Sequence, residues 1–177
     1  MLSRLLVGLL ISLLTSMSHA APRIAILDFE LKDLTLAPGI PSEIERTASI
    51  KPLLENELRS AGYQIVNIPL AAQLAANSGV GYLFDHADAA AELGKNRGAD
   101  YVLVGRLHKP SFLFAYLMAN LVRVGDNHWM ARFVTESKGP NAELVIKAVE
   151  SLTDKIDSKL ENRYTPPPPN KLKLHQP

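Results

Sequence analysis

Two separated apolar segments, residues 23–30 and residues 98–107, constrain the fold of this chain more than any other feature. Each is a short run that contains β-branched residues, as is typical of a strand buried inside a sheet. The sequence between the two segments has helical periodicity. Strands separated by helices in this way predict an α/β domain.

The first twenty residues have the three parts of a secretory leader. Arg4 carries the positive charge, residues 5–14 are apolar, and Ser18 and Ala20 are the small residues that a signal peptidase accepts. The apolar run is shorter than the roughly 20 residues of a membrane span. We therefore expect cleavage after Ala20 and a periplasmic protein without a membrane span, the alternative being an uncleaved anchor. Because the chain has no cysteine, we expect no lipid attachment.

Removal of residues 1–20 takes away Arg4 and leaves 18 basic and 18 acidic side chains, a formal net charge of zero. A nucleic-acid partner is not expected, because phosphate recognition usually needs a basic excess.

Without cysteine no disulfide can support an exported fold, so the core itself must hold it. The length fits one domain, which we place at residues 21–164.

The pattern of apolar residues predicts the element order β-α-β-α-α-β-β-β-α. The fold class is therefore α/β, with a mixed sheet of about five strands and helices packed on it. Strands are predicted at residues 23–29, 63–68, 101–108, 112–124 and 128–136, and helices at residues 42–61, 70–76, 84–97 and after a cap at Asn141.

Three local features refine this order. Residues 30–41 contain prolines and a glycine and are predicted to be a loop. Ser42 and Glu45 have the spacing of a capping box at the start of the first helix. Pro52 lacks the N–H of an interior helical position, so it predicts a kink there or a new helix that starts near Ser49.

Strand alternation makes further predictions for the core. The strand around Val104 is apolar on both faces and should be central, and residues 112–124 should lie inside the sheet as the first arm of a hairpin. Alternation also places Trp129, Ala131 and Phe133 on one face, which favours packing under the last helix. An aromatic interaction surface is the alternative.

Residues 165–177 form a tail of distinct composition. Four consecutive prolines forbid a helix and favour an extended polyproline conformation. We predict that this tail is mobile and dispensable for folding.

A resemblance to a known group of proteins is carried by residues 24–29, 54–63, 98–105 and 120–129. These four stretches resemble the group of bacterial envelope proteins that are similar to the amino-terminal domain of TolB. Within that group the opening Leu27-Asp-Phe-Glu-Leu31 is most similar to a family of small exported proteins of unknown function. One departure is the absence of a cysteine pair that several members have before the helix preceding the third strand.

The resemblance covers residues 23–160 and implies a TolB-like α/β domain that acts as a non-catalytic adaptor or sensor in the periplasm. Its implied partner is another periplasmic or outer-membrane-associated protein. A role as an accessory factor of a quinoprotein methanol or alcohol dehydrogenase is a further implication. These motifs are strand and helix-end sequences, so they specify a fold and no activity.

Polar residues at the ends of the first three strands form the candidate site, because open α/β sheets bind ligands at the carboxyl ends of their strands. An acidic trio of Asp28, Glu30 and Asp33 follows the first strand, but its spacing is too interrupted for a calcium loop and favours capping or solvated charge. A sensor of a small molecule or metal is the competing hypothesis. The candidate residues for a ligand or partner are Asp28, Glu30, Asn67, Arg106 and His108.

The chain contains no motif for catalysis. A nucleophile elbow, a phosphate-binding glycine loop and a cysteine nucleophile are all missing, and the histidines lack the spacing of a metal pair. We therefore predict no catalytic residues, no metal site, no cofactor and no enzyme activity.

Overall fold

A computed structural model describes residues 20–139 and 141–165, so the predicted leader before Ala20 and tail residues 166–177 lie outside the described residues. None of the helices in this described part combines the length and the apolar character that a bilayer crossing requires. The elements are β1 (Arg23–Ile26), β2 (Glu30–Asp33), α1 (Pro41–Ser60), β3 (Gln64–Val66), α2 (Leu70–Ala76), α3 (Tyr82–Asp85), α4 (Ala87–Lys95), β4 (Tyr101–Lys109), β5 (Tyr116–Arg123), β6 (His128–Glu136) and α5 (Ala142–Leu160).

The strands form one mixed, six-stranded sheet, in which five strands have the order β3-β1-β4-β5-β6. The sixth strand, β2, pairs with the second half of β4, on the same edge as β1. β1 is parallel to both β3 and β4, and β2 is also parallel to β4. β5 and β6 continue the sheet as antiparallel strands. The predicted α/β class with a mixed sheet is confirmed.

The predicted loop at residues 30–41 is wrong at its start, because Glu30–Asp33 is a strand. The nine-residue β4 extends past β1, and its backbone groups need partners there. The chain supplies these partners because, after a short break at residues 27–29, it pairs with β4 again as β2. Within the break, the Leu27 amide still donates to the Leu103 carbonyl at 2.9 Å. This added strand makes the sheet six-stranded.

Two apolar cores lie on opposite faces of the sheet. α1 and α5 cover one face, where they pack on Leu103 and Leu107 of β4. α2, α3 and α4 cover part of the other face, above Val102 and Val104. The prediction that this strand is central and buried on both faces is confirmed.

The start of α1 differs from the predicted capping box. Pro41 occupies the first helical position and Ile40 precedes it as the cap residue without a side-chain bond, so Ser42 lies inside the helix. Proline suits this position because its missing N–H would be unsatisfied there anyway. The helix then continues through Pro52, which is exposed, while its other face is held against the sheet by Ile50, Leu54 and Leu58.

The predicted helix at residues 84–97 is divided at His86, whose extended backbone separates α3 from α4. The His86 ring stacks on Tyr82 with centroids 4.0 Å apart. The break allows the single turn of α3 to direct Leu83 and Phe84 into the second core. Tertiary packing therefore overrides the helical propensity of this alanine-rich stretch.

A bulge in β6 overturns the predicted placement of Trp129. Ala131 pairs with Leu121 and Trp129 pairs with Val122, so Met130 between them has no partner residue on β5. The extra residue reverses the alternation, and Trp129 and Ala131 then point to opposite faces. Trp129 is 38% exposed, whereas Phe133 is buried under α5 as predicted.

The last elements follow the sequence closely. Asn141 caps α5 as predicted, since its side chain accepts from the Glu143 amide at 2.8 Å. The predicted hairpin is present, but its first arm begins at Tyr116, because pairing with β4 starts at that residue. Residues 111–115 therefore form a loop instead of a strand.

Candidate functional site

Glu30 and Arg106 are the two predicted site residues that the fold brings into direct contact. They face each other in the register of β2 and β4, and the Arg106 guanidinium donates to the Glu30 carboxylate at 3.0 Å. The same carboxylate accepts from the backbone amide of Gly81, just before α3. The guanidinium also lies over the Phe84 ring, 3.8 Å from its centroid. This cluster ties α3 to the sheet.

The other predicted site residues are placed separately. Asp28 forms an ion pair with Lys51 of α1 at 3.2 Å and is half exposed. Asn67 is exposed in the connection between β3 and α2. His108 pairs with Lys32 in the β2–β4 register. Burial, together with the positive charges of Lys32 and Arg106, lowers the pKa of His108 below its ordinary value.

Gln73 is a functional candidate that sequence reasoning missed. Its buried side-chain amide accepts from the Asp28 backbone N–H and donates to the Ile68 carbonyl, both at 2.9 Å. It therefore holds the break between β1 and β2 against α2. A single glutamine in an alanine-rich helix gives no signal of this role in the sequence.

A cavity of 210 Å³ lies at this break, between β2 and α2. Asp28 and Glu30 line it, whereas Asn67, Arg106 and His108 do not. The carboxylates of Asp28 and Glu30 are already paired with cations of this chain. The cavity is therefore suited to an apolar side chain more than to an ion, and its other lining residues include Leu27, Leu70, Leu74, Leu83 and Phe84.

Within residues 20–139 and 141–165, no three side chains of histidine, cysteine, aspartate or glutamate are grouped so that they could hold a metal ion. Asp33, the third member of the acidic trio, instead accepts hydrogen bonds from the Thr35 and Gly39 amides. This is a loop-capping arrangement.

Exposed apolar side chains are concentrated in the segments that follow the carboxyl ends of β2, β3 and β4. We call these residues the carboxyl-end surface. The surface was not predicted from the sequence, because residues 112–124 were expected to lie inside the sheet. The three adjacent apolar residues at 112–114, which follow Pro110 closely, could have indicated an exposed apolar loop. The members are Leu34, Leu36, Ile40, Ile44, Leu70, Leu74, Val80, Phe112, Leu113 and Phe114.

A buried charge cluster lies beneath part of this surface. Glu43 near the start of α1 accepts from Lys109 at 2.9 Å and from Arg46 at 3.1 Å. Arg46 also donates to the Ser137 carbonyl at 3.0 Å. The Lys109 ammonium lies 5.7 Å from the centroid of the Phe112 ring. These contacts fix the end of β4 and the start of α1, from which the apolar loops project.

Three solved structures illustrate what the chain is similar to. The LpoB C-terminal domain from Salmonella enterica is 17% identical with a TM-score of 0.48, and the match covers 68% of this chain and 84% of that one. TolB from Acinetobacter baumannii is 17% identical with a TM-score of 0.48, over 80% of this chain but only 28% of the TolB chain. The hypothetical protein CT253 from Chlamydia trachomatis is 8% identical with a TM-score of 0.50, over 78% of this chain and 97% of that one, which shows a shared fold.

A family model described as "Protein of unknown function (DUF2380)" matches residues 22–156. No curated protein matches the chain in sequence. The predicted membership of a family of unknown function is confirmed by the match to this family model.

Proposed function

The chain belongs to this family of proteins of unknown function, and we propose that it is a non-catalytic accessory protein of the periplasm. Its partner is another periplasmic or outer-membrane-associated protein. The protein acts by holding that partner, not by transforming a substrate.

The observation that carries this proposal is the carboxyl-end surface. Among the described residues, 13 large apolar side chains are exposed, and ten of them belong to this surface. These ten side chains follow strands whose carboxyl ends lie at one edge of the sheet, because β2, β3 and β4 run in the same direction. Exposed apolar residues grouped on one side of a soluble domain commonly mark protein-binding sites. Phe112 and Phe114 are 65% and 50% exposed and are of the residue type that anchors interfaces. The buried Glu43–Lys109 pair below keeps the surface in place before a partner arrives.

A small-molecule sensor is the second candidate, and the cavity at the β1–β2 break is the observation that favours it. Its 210 Å³ is below the roughly 300–1,000 Å³ of typical ligand pockets. Arg106 and His108 lie outside its lining, so the predicted candidate residues do not all converge on it. The cavity fits better as an apolar recess of the partner-binding surface.

Site-specific photo-cross-linking in the native cell tests the adaptor role. A photoreactive residue at Leu113, which is 79% exposed, is expected to give an adduct of defined mass with one partner. The matched control is the same residue at exposed Lys159, at the far end of α5. Identical adducts from both positions, or none from Leu113, would reject the proposed surface. A quinoprotein alcohol dehydrogenase is one partner whose mass should be searched for.

Export is part of the same proposal and has its own test. Signal peptidase is expected to cut between Ala20 and Ala21. Intact-mass measurement of the protein released from the envelope should therefore match a chain that starts at Ala21. A mass that retains residues 1–20 would favour the uncleaved anchor.

A further inference from the structure

The last strand of the sheet, β6, has an open outer edge. It pairs with β5 on one side, and no strand of the described residues pairs with it on the other side. The Ser137 amide, just past the strand, donates to the Ala115 carbonyl at 2.8 Å and so points toward β5. Because the backbone groups of successive residues in a strand point to alternate sides, those of Arg132, Val134 and Glu136 point outward. Such a row of backbone groups can pair with one more strand.

The side chains of the same three residues lie on one face of the sheet, opposite the side chain of Thr135. The Thr135 hydroxyl lies 3.1 Å from the Ser151 hydroxyl of α5, so α5 covers that other face. Arg132, Val134 and Glu136 are all exposed, and Val134 has 42% of its surface exposed. The edge and the adjoining face of β6 are therefore both accessible.

The two charged residues of this row are poorly matched by their own chain. Arg132 donates through Nε to the Asn120 side chain at 2.9 Å, and it makes no ion pair with a described residue. Glu136 is paired in the described part of the chain with Lys138, whose Nζ is 3.9 Å from the carboxylate and whose side chain is 70% exposed. A cation and an anion are thus available for a facing strand, four residues apart on β6.

We propose that this edge pairs with the β6 edge of a second copy of the chain, antiparallel and centred on Val134. That register places Arg132 of each copy opposite Glu136 of the other, and facing opposite charges stabilise a strand pair. Moving the centre by one residue toward the end of β6 would place Arg132 opposite Lys138, which has the same charge. Moving it the other way would leave both charges opposite uncharged residues. The charges therefore select one register, in which Val134 faces its own counterpart.

Lys155 of α5 limits the strength of this pairing. Its Nζ donates to the Val134 carbonyl at 2.6 Å, and this carbonyl lies at the centre of the proposed strand pair. Lysine side chains at sheet edges commonly oppose pairing with another chain. Lys155 is exposed, so it can turn into solvent, but it loses this hydrogen bond when it does. We therefore expect a weak dimer whose stability depends on Lys155.

The geometry of this dimer has a consequence for binding. β6 runs in the same direction as β4, because each is antiparallel to β5. Two antiparallel β6 strands therefore place the two carboxyl-end surfaces at opposite ends of a joined sheet. If that surface binds the partner, as in the proposed function on which this step rests, the dimer holds two partner molecules at once.

Charge reversal tests the proposal in the purified protein, made from the full-length gene and processed by the cell. Sedimentation equilibrium over a concentration series should show a dimer. Arg132→Glu and Glu136→Arg should each raise its dissociation constant about tenfold, because each places like charges opposite one another. Mixing these two variants should restore dimers, since both facing pairs are then opposite in charge, and a folding defect could not be repaired in this way. The controls Lys159→Glu and Glu92→Arg, at exposed positions outside β6, should leave the dissociation constant unchanged.

Lys155→Met supplies the second arm and should lower the dissociation constant about tenfold. An unchanged or higher constant would remove the role of Lys155. The inference is overturned if the native protein and Lys155→Met both stay monomeric, if neither charge reversal weakens the dimer, or if the mixture does not restore it. Because these measurements use the chain alone, their failure is distinct from failure of the adaptor role, which the cross-link at Leu113 tests.

Discussion

The Arg106 guanidinium donates to the Glu30 carboxylate at 3.0 Å, joining residues that are 76 positions apart in the sequence. Arg106 is buried, and its second contact is the face of Phe84. The pair therefore links β2, β4 and α3 at the place where the pairing partner of β4 changes from β1 to β2. Because both charges are already compensated, we interpret the pair as a support for the carboxyl-end surface.

Glu30→Gln should destabilise the domain by about 1–3 kcal/mol, because it leaves the buried guanidinium without its counter-charge. The matched control is Glu55→Gln, whose partner Arg59 is 51% exposed, and its cost should stay below about 1 kcal/mol. Urea denaturation of both variants measures how much each substitution lowers the free energy of unfolding. Equal losses would mean that the Glu30–Arg106 pair contributes no more than a surface ion pair.

Gly105→Ala should also be destabilising, by about 1–3 kcal/mol, because an added Cβ would lie 2.2 Å from a carbon of the Phe29 ring. Gly125→Ala is the control, since a Cβ there meets nothing within 4 Å. Thermal melts should separate the two glycines. Phe29→Leu in the Gly105→Ala background should recover part of the loss, and a failure to do so would exclude the ring as the cause.

Val104→Asp tests the central position of β4. Val104 is 4% exposed, so an aspartate there would be buried without a partner at a cost of several kcal/mol, against a typical total stability of about 5–15 kcal/mol. Val134→Asp places the same side chain on β6 at a position that is 42% exposed, and its cost should be about 1 kcal/mol. Circular dichroism melts distinguish these outcomes. Normal folding of Val104→Asp would contradict the architecture described above.

His108 should titrate below its ordinary pKa of 6.5, because burial and the charges of Lys32 and Arg106 disfavour its protonated form. The folded state then binds this proton more weakly than the unfolded state does. The His108 contribution to stability is therefore complete above pH 6.5 and is lost as the pH falls through the lowered native pKa. An NMR titration of the ring measures the midpoint. Lys32→Gln should raise it, and an unchanged midpoint would exclude the charge effect.

Local signals in the sequence account for much of the fold. The apolar run of β4, the helical spacing of α1 and α5 and the Asn141 cap each depend on residues close in the chain, and each was predicted near its observed place. Glu30–Asp33 was missed because a short, charged segment resembles a loop until the exposed end of β4 needs a partner. Trp129 was misplaced because its bulge arises from pairing with β5, which alternation along one strand does not encode.

The candidate site, too, could be predicted from the sequence only in part. Residue type and strand order were enough to select Glu30 and Arg106 as candidates at one edge of the sheet, because parallel strands bring their carboxyl ends there. Their direct contact was not predicted, since it depends on the pairing of β2 with β4. The sequence did not indicate that Asp28 would pair with Lys51 or that Gln73 would hold the β1–β2 break. Those contacts join separate elements, and their distances depend on how the helices pack on the sheet.

The sequence by itself determined the α/β class, the central strand and the family of unknown function, because hydrophobic periodicity and the signals at element ends act over a few residues. The tertiary structure alone decided which charges compensate one another and which apolar residues remain uncovered. Phe112 is as apolar as any core residue, yet it is 65% exposed in the loop that follows β4. Whether a side chain is buried depends on what packs above it, and that is a property of the whole fold.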